Sequence, residues 1–272
     1  MQGLKVACLQ INSTSNISEN LQKVEKHCQI ASTNGVQLLV TPENVCIMPI
    51  SAQGPLREET EDIGLKKFQE LASRYKIWMI LGSLVIKHND GKPYNRSYLI
   101  NNSGEIVAKY DKIHLFCAKL SSNEFYRESD VFSAGNKAIL AKTPLGAIGL
   151  TICYDLRFPT LYRELAQGGA QCIFVPSAFT KTTGQAHWEP LLRARAIENG
   201  CYIIAANQCG THEDGRETYG HSMIISPWGE VLRNLDGEEG MIEVDIDLKK
   251  VEEARSKIQS LSTSVPYTVK VI

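Results

Sequence analysis

The run VQLLV, residues 36–40, is apolar at all but Gln37, and it does most to limit what this chain can fold into. Five residues are too few for a stable helix, and neither face of the run suits water. A strand of this kind is buried on both sides, the habit of parallel strands covered by helices. The preceding segment agrees. Leu21, Val24, Cys28 and Ala31 recur at helical spacing, and Asn34-Gly35 stops that helix. Before it, LKVACLQI (4–11) reads as a strand, which completes one strand–helix–strand unit.

The alternation continues along the chain. Residues 61–75 form an amphipathic helix and IWMILGSLVI (77–86) a strand, with HNDGKP as its turn. RSYLIN and EIVAKY flank Asn102-Ser103-Gly104, a hairpin signal. KAILAKT and AIGLTIC are strands around Pro144-Leu145-Gly146. Beyond Pro159, TLYRELAQ reads as a helix, QCIFVPS as a strand, and HWEPLLRARAIENG as a helix stopped by Gly200. CYIIAANQ, YGHSMIIS and GMIEVDI read as strands and LKKVEEARSKI as a last helix. Hairpins mixed with βαβ units predict an α/β fold of mixed sheets, with two packed sheets and helices outside accommodating this many strands. No linker or repeat divides residues 1–272, so a single domain is expected.

Charge narrows the function classes. The 29 basic and 30 acidic side chains give no excess to attract nucleic acid or an anionic membrane. No apolar run approaches the ~20 residues of a membrane helix. The N-terminus lacks the apolar core of a signal peptide, so a cytoplasmic location is expected. The eight cysteines include no CxxC pair, and the six histidines include no HExxH or HxH. Neither a disulfide framework nor a metal site is expected from these spacings.

Three polar residues follow apolar strands: Glu43 after VQLLVTP, Lys112 after EIVAKYD, and Cys153 at the end of AIGLTI. If those strands are neighbours, their ends share a rim, where α/β sheets tend to bind ligands. Taken singly, each has a plain structural reading. Cysteine is often a core residue, Glu43 fits a turn or helix cap, and Lys112 fits a solvated surface.

The neighbouring residues favour the shared site. TPEN (41–44), KYDKIHLF (109–116), GLTICYDLRFP (149–159), PSAFTKTTGQAHWEPLLRARAIENGCYIIAANQ (176–208) and YGHSMIISPWGEV (219–231) together resemble the nitrilase, or carbon–nitrogen hydrolase, superfamily in its Nit-type branch. The resemblance runs from about residue 4 to about residue 258. It implies a four-layer α-β-β-α sandwich, a homodimer or larger homo-oligomer, no cofactor, and a Glu-Lys-Cys triad at Glu43, Lys112 and Cys153. The chemistry suits those residue types. A free thiol near pKa 8.5 is only slightly ionised at neutral pH, so amide attack needs a base and a cation nearby. Glu43 is expected to shuttle the proton, Lys112 to steady the oxyanion, and the intermediate to be a thioester.

The resemblance also implies a second oxyanion donor in the Tyr154 N–H, and a further glutamate at Glu128 that orients Lys112 or bonds substrate. Glu128 also reads as a surface-loop acid, and Glu124 lies close enough to be mistaken for it. Arg157, four residues past Cys153, suits a substrate carboxylate, with an ion pair to Asp155 or Glu164 as its structural reading. Phe179 and Thr180 are expected pocket walls, with Phe116 a weaker candidate. Arg193, Arg195 and Glu198 are expected to pair in support of the nucleophile strand, and His187 and Trp188 to pack at a helix start. His114 raises the idea of a Cys-His pair, which Glu43 makes unnecessary.

The expected partners are a small carboxylate-bearing linear amide and water. Ser177 and Thr180 stand where the ω-amidase pattern tends to glycine and asparagine, which puts deaminated glutathione ahead of α-ketoglutaramate as substrate. A non-catalytic binding protein of the same fold is the rival from another class.

Overall fold

The computed structural model describes residues 3–48, 56–88, 91–119, 125–263 and 265–272. Asn89 and Asp90 of the expected HNDGKP turn lie outside the described residues, as does Glu124. The first strands are β1 (Leu4–Gln10), β2 (Leu38–Val40), β3 (Trp78–Ile86), β4 (Tyr94–Ile100) and β5 (Ile106–Asp111). The short β6 (Cys117–Lys119) and β7 (Phe125–Arg127) follow, then β8 (Ile139–Thr143), β9 (Gly146–Leu150), β10 (Cys172–Phe174) and β11 (Tyr202–Ala205). The last are β12 (Cys209–Thr211), β13 (Glu217–Tyr219), β14 (Met223–Ile225), β15 (Val231–Asn234) and β16 (Gly240–Ile246). The helices are α1 (Ile17–Thr33), α2 (Ile63–Tyr75), α3 (Pro159–Gln167), α4 (Lys181–Asn199) and α5 (Lys249–Lys257).

Among the described residues the larger strands form two six-stranded mixed sheets, ordered β16-β1-β2-β3-β4-β5 and β15-β14-β11-β10-β9-β8. Strands β1, β2 and β3 run parallel, as do β9, β10 and β11; the outer strands are antiparallel. Side chains alternate across each strand. In the first sheet Ala7, Leu9, Leu39, Met79 and Leu81 face α1 and α2 in one apolar cluster. Val6, Cys8, Leu38, Val40 and Ile80 face the second sheet in the other cluster, which also takes in Leu161, Tyr162, Trp188 and Leu192 from α3 and α4. The layers are therefore helix, sheet, sheet, helix, and Leu38–Val40 of the VQLLV run is buried on both faces, with Gln37 exposed at its start. No helix among the described residues is long and apolar enough to cross a membrane.

Local signals set the element ends. Asn16 caps α1, its side chain accepting from Ser18 N and Glu19 N at 3.0 and 3.3 Å. Pro159 opens α3, where a missing N–H costs nothing. Gly200 closes α4 in the left-handed region.

Three boundaries differ from expectation. Helix α4 begins at Lys181 rather than His187, because Gly184 packs flush against the Tyr219 ring and steadies a first turn rich in threonine. The run YGHSMIIS is split into β13 and β14 by Gly220 and His221, at φ 68° and 54°. Strand β9 stops at Leu150, so Cys153 stands beyond the strand rather than at its end.

Candidate active site

Glu43 and Lys112 leave the first sheet after β2 and β5, whereas Cys153 leaves the second after β9. The three strands are not neighbours in one sheet. Their ends meet because the sheets are stacked face to face. Gly82 in β3 permits the approach on the Glu43 side. A Cβ there would sit 2.1 Å from Pro42 O, and its N–H donates to Thr41 Oγ1 at 3.0 Å.

Cys153 opens a 3₁₀ turn, Cys153–Arg157, at φ 45°. That conformation is rare for a residue with a Cβ and costs on the order of 1–3 kcal/mol. Its neighbours over-determine it. Cys153 N donates to Pro176 O at 2.9 Å. The buried Asp155 carboxylate accepts four bonds: Ile152 N at 2.8 Å, Tyr110 Oη at 2.7 Å, His114 N at 3.0 Å and His114 Nδ1 at 2.7 Å. One side chain thus fastens the Cys153 turn to the segment around Lys112. His114 is committed to Asp155 and stacks on Phe158 with ring centroids 3.6 Å apart, so it does not form the Cys-His pair.

Lys112 is fully buried between two carboxylates. Its Nζ lies 2.9 Å from Glu43 Oε1 and 2.8 Å from Glu128 Oε2. Burial alone would push this amine down. Glu128 and then Glu43, with the Cys153 sulfur adding to them, instead hold it well above its ordinary range, so it is an ammonium. Glu128 also accepts from Phe116 N at 2.8 Å, which fixes the segment that carries Phe116 over the site.

The two oxygens of Glu43 are not equivalent. Oε1 accepts from both Lys112 Nζ and Asn95 Nδ2, the latter at 2.8 Å. Oε2 accepts only the Ala178 N–H among the described residues, at 2.9 Å, which leaves it a lone pair. The Ala178 N–H also faces the Cys153 sulfur. Burial pushes the Cys153 thiol well above its ordinary range; Glu43 adds to the shift, Lys112 opposes it and Glu128 adds again. Cys153 at rest is therefore a thiol, and attack by it would need a base.

These groups line one cavity with about 450 Å³ of empty space, shared with Phe116, Tyr154, Arg157, Phe179 and Thr180. The Tyr154 N–H stands at the first turn of a 3₁₀ segment, where an N–H has no acceptor within the helix. The Arg157 guanidinium lies over the Phe179 ring at 5.2 Å and contacts His187 Nδ1 at 3.3 Å. Among the described residues no carboxylate pairs with Arg157, and its expected partner Asp155 is fully engaged elsewhere. Phe179 packs on the buried Trp188, with ring centroids 5.0 Å apart.

The expected support from α4 is only partly present. Arg195 donates to Leu156 O at 3.0 and 2.8 Å and pairs with Glu198 at 2.8 Å, bracing the Cys153 turn. Arg193 is half-exposed and reaches Glu189 instead, because it projects from another side of the helix. Trp188 lies inside α4 rather than at its start, and donates to His221 O at 2.7 Å.

Asn95, Ala178, Tyr126 and Arg216 also belong to the site and carried no sequence signal. Asn95 sits in a polar-looking strand, Ala178 contributes only its backbone, and Arg216 reads as a hairpin-turn residue in EDGRET. All eight cysteines are free. No group of three His, Cys, Asp or Glu side chains among the described residues is arranged to hold a metal.

Comparison with known proteins gives the family. A family model described as carbon-nitrogen hydrolase matches residues 5–256. A deaminated glutathione amidase from Dictyostelium discoideum is 42% identical, over 92% of this chain and 89% of its own. One from Yersinia enterocolitica is 38% identical, over 96% and 93%. The crystal structure of the C. elegans NitFhit protein superposes with a TM-score of 0.88 at 34% identity, over 97% of this chain; this chain spans 65% of that protein. An amidase from Nesterenkonia sp. AN1, captured after Michael addition of acrylamide at its active-site cysteine, matches with a TM-score of 0.79 at 26% identity, over 94% and 98%.

Proposed function

The chain belongs to the carbon–nitrogen hydrolase family, and on that premise we propose that it is a cysteine-dependent amidase whose substrate is deaminated glutathione. The observation that carries the mechanism is the buried Lys112 ammonium, held between Glu43 and Glu128 in the cavity that Cys153 lines. An ammonium has three N–H donors. Two are used by the carboxylates, which leaves the third for a substrate oxygen.

The reaction follows from the unequal oxygens of Glu43. As Cys153 Sγ bonds the amide carbon, its proton passes to Glu43 Oε2, the oxygen with a spare lone pair. The carbonyl electrons move onto oxygen, where Lys112 Nζ and the Tyr154 N–H receive the negative charge. Collapse breaks the C–N bond, and Glu43 returns the proton to the leaving nitrogen. The product is an amine and a thioester on Cys153. Glu43 then takes a proton from water, the hydroxyl oxygen bonds the acyl carbon, and the C–S bond breaks. The sulfur recovers the proton from Glu43 and the acid leaves.

Two observations support the substrate. Relatives of 37–42% identity carry the name deaminated glutathione amidase. Arg157 offers the cavity a guanidinium that no protein carboxylate occupies among the described residues, suited to bidentate binding of a substrate carboxylate. Pairing of two copies through the outer α4 layer is proposed with it. Support comes from the exposed Ile197 and Trp228, which sedimentation of the wild-type chain against an Ile197→Glu variant would test.

The test is turnover of deaminated glutathione with rapid quenching and mass spectrometry. Hydrolysis with an acyl adduct on Cys153 is expected. An adduct on another cysteine, or turnover retained by Cys153→Ala, would overturn the mechanism. Hydrolysis of α-ketoglutaramate but not of deaminated glutathione would overturn the substrate.

A further inference from the structure

The cavity has a second guanidinium. Arg216, the last residue of the connection between β12 and β13, lines the same cavity as Arg157 and Cys153. Its guanidinium lies over the Tyr126 ring at 5.2 Å. Tyr126 stands 5.1 Å from Phe116, and Phe116 stands 5.1 Å from Tyr154, centroid to centroid. Arg157 covers the other end, 6.0 Å from the Tyr154 ring. Three aromatic rings thus form an arc along the cavity wall with one guanidinium at each end.

The two ends differ in what adjoins them. Arg157 shares the 3₁₀ turn of Cys153 and rests on the buried Phe179. Tyr126 and Arg216 also line a separate outer groove of about 800 Å³, with Lys181 and Glu217 on its wall. Lys181 and Glu217 are paired at 2.7 Å. Asp214 stands 3.9 Å from Arg216, at the limit of ion pairing, so Arg216 keeps donors for a ligand.

From this arrangement we propose that the site takes an amide with a carboxylate on each half. Arg157 holds the carboxylate of the acyl half, and Arg216 is the specificity residue for the carboxylate of the amine half. The assignment follows from the order of events. The acyl half stays bonded to Cys153 and belongs at the end whose arginine shares the Cys153 turn. The amine half departs first and belongs at the end that opens to the outer groove. The proposal rests on the amidase reading above, and it explains what the outer groove and Arg216 add. A primary amide, which releases ammonia, has no use for either.

The test uses the full chain and three amides with one 2-oxoglutaryl acyl half: the primary amide, the amide of alanylglycine and the amide of alanylglycinamide. The last two differ only in the terminal charge. The wild-type chain is expected to prefer alanylglycine over alanylglycinamide by about tenfold or more in kcat/KM. Arg216→Leu is expected to lower kcat/KM for the alanylglycine amide by about 10- to 100-fold, chiefly through KM. The loss on the primary amide should be at least about tenfold smaller, and Arg216→Lys should recover part of the activity. Equal losses on all three amides, or no wild-type preference for the charged tail, would overturn the subsite and leave the amidase reading standing. Failure of the wild-type chain on all three would overturn both.

Discussion

Cys153 and Cys172 are close in sequence, both buried, and both carried by the second sheet or the turn leaving it. Burial raises the pKa of each thiol above its ordinary value. Their surroundings differ. Cys172 sits within β10 between β9 and β11, with Ile148 and Tyr202 opposite it and Cys201 nearby. Cys153 sits past the end of β9 on a left-handed turn, facing Glu43, Lys112 and Glu128 from outside its own sheet. Burial therefore does not distinguish Cys153, the proposed nucleophile, from a core thiol. The distinguishing features are a backbone turn that frees the sulfur from the sheet and charged partners delivered by the other layer.

The comparison breaks most directly at the two sulfurs. Cys153→Ala is expected to lower turnover by about 10⁴-fold or more while the circular dichroism spectrum is kept. Cys172→Ala is expected to keep turnover within about twofold, since only a small apolar contact is lost. Comparable activity losses in the two variants would erase the distinction.

Removing the cation should come next. Lys112→Met leaves the buried Glu43 and the half-buried Glu128 without their shared partner, at a cost of about 3 kcal/mol in stability. Denaturant unfolding would show that loss, and turnover should fall to near background. Glu43 would then meet no cation at Oε1, and the neighbourhood of Cys153 would become more like that of Cys172.

A smaller effect is expected at Asn95, which donates to Glu43 Oε1 and so holds that carboxylate in place beside Lys112. Asn95→Leu should lower kcat by about tenfold with KM nearly unchanged. An unchanged kcat would make Asn95 a packing residue only.

The smallest effect concerns pH. A thiol whose folded pKa is raised adds stability that is fully present below the ordinary value of 9.0. That stability falls as pH climbs from there toward the folded value, by about 1.4 kcal/mol per pH unit per thiol. Cys172→Ala should therefore be less stable than wild type near pH 7, and the gap should narrow above pH 9. A constant gap would mean that Cys172 ionises as freely folded as unfolded.

Much of the fold was legible because its signals are local. VQLLV, the Asn102-Ser103-Gly104 hairpin and the Asn34-Gly35 stop all state their structure within a few residues. The start of α4 was not legible, since threonines and Gly184 argue against a helix until Tyr219, far along the chain, packs on them. The site followed the same division. Glu43, Lys112, Cys153, Glu128 and Arg157 sit in extended motifs. Asn95 and Arg216 have no such context, because a strand asparagine and a turn arginine acquire meaning only from what the fold sets opposite them.

The four bonds of Asp155 have a consequence for the order in which the chain becomes competent. Three of them join the Cys153 turn of one sheet to the Tyr110–His114 segment of the other, and neither half of the machinery is complete alone. Hydrolytic activity is then a late event in refolding, returning with the docking of the two sheets rather than with the strands and helices. A half-folded chain carries its eight thiols without an armed nucleophile among them.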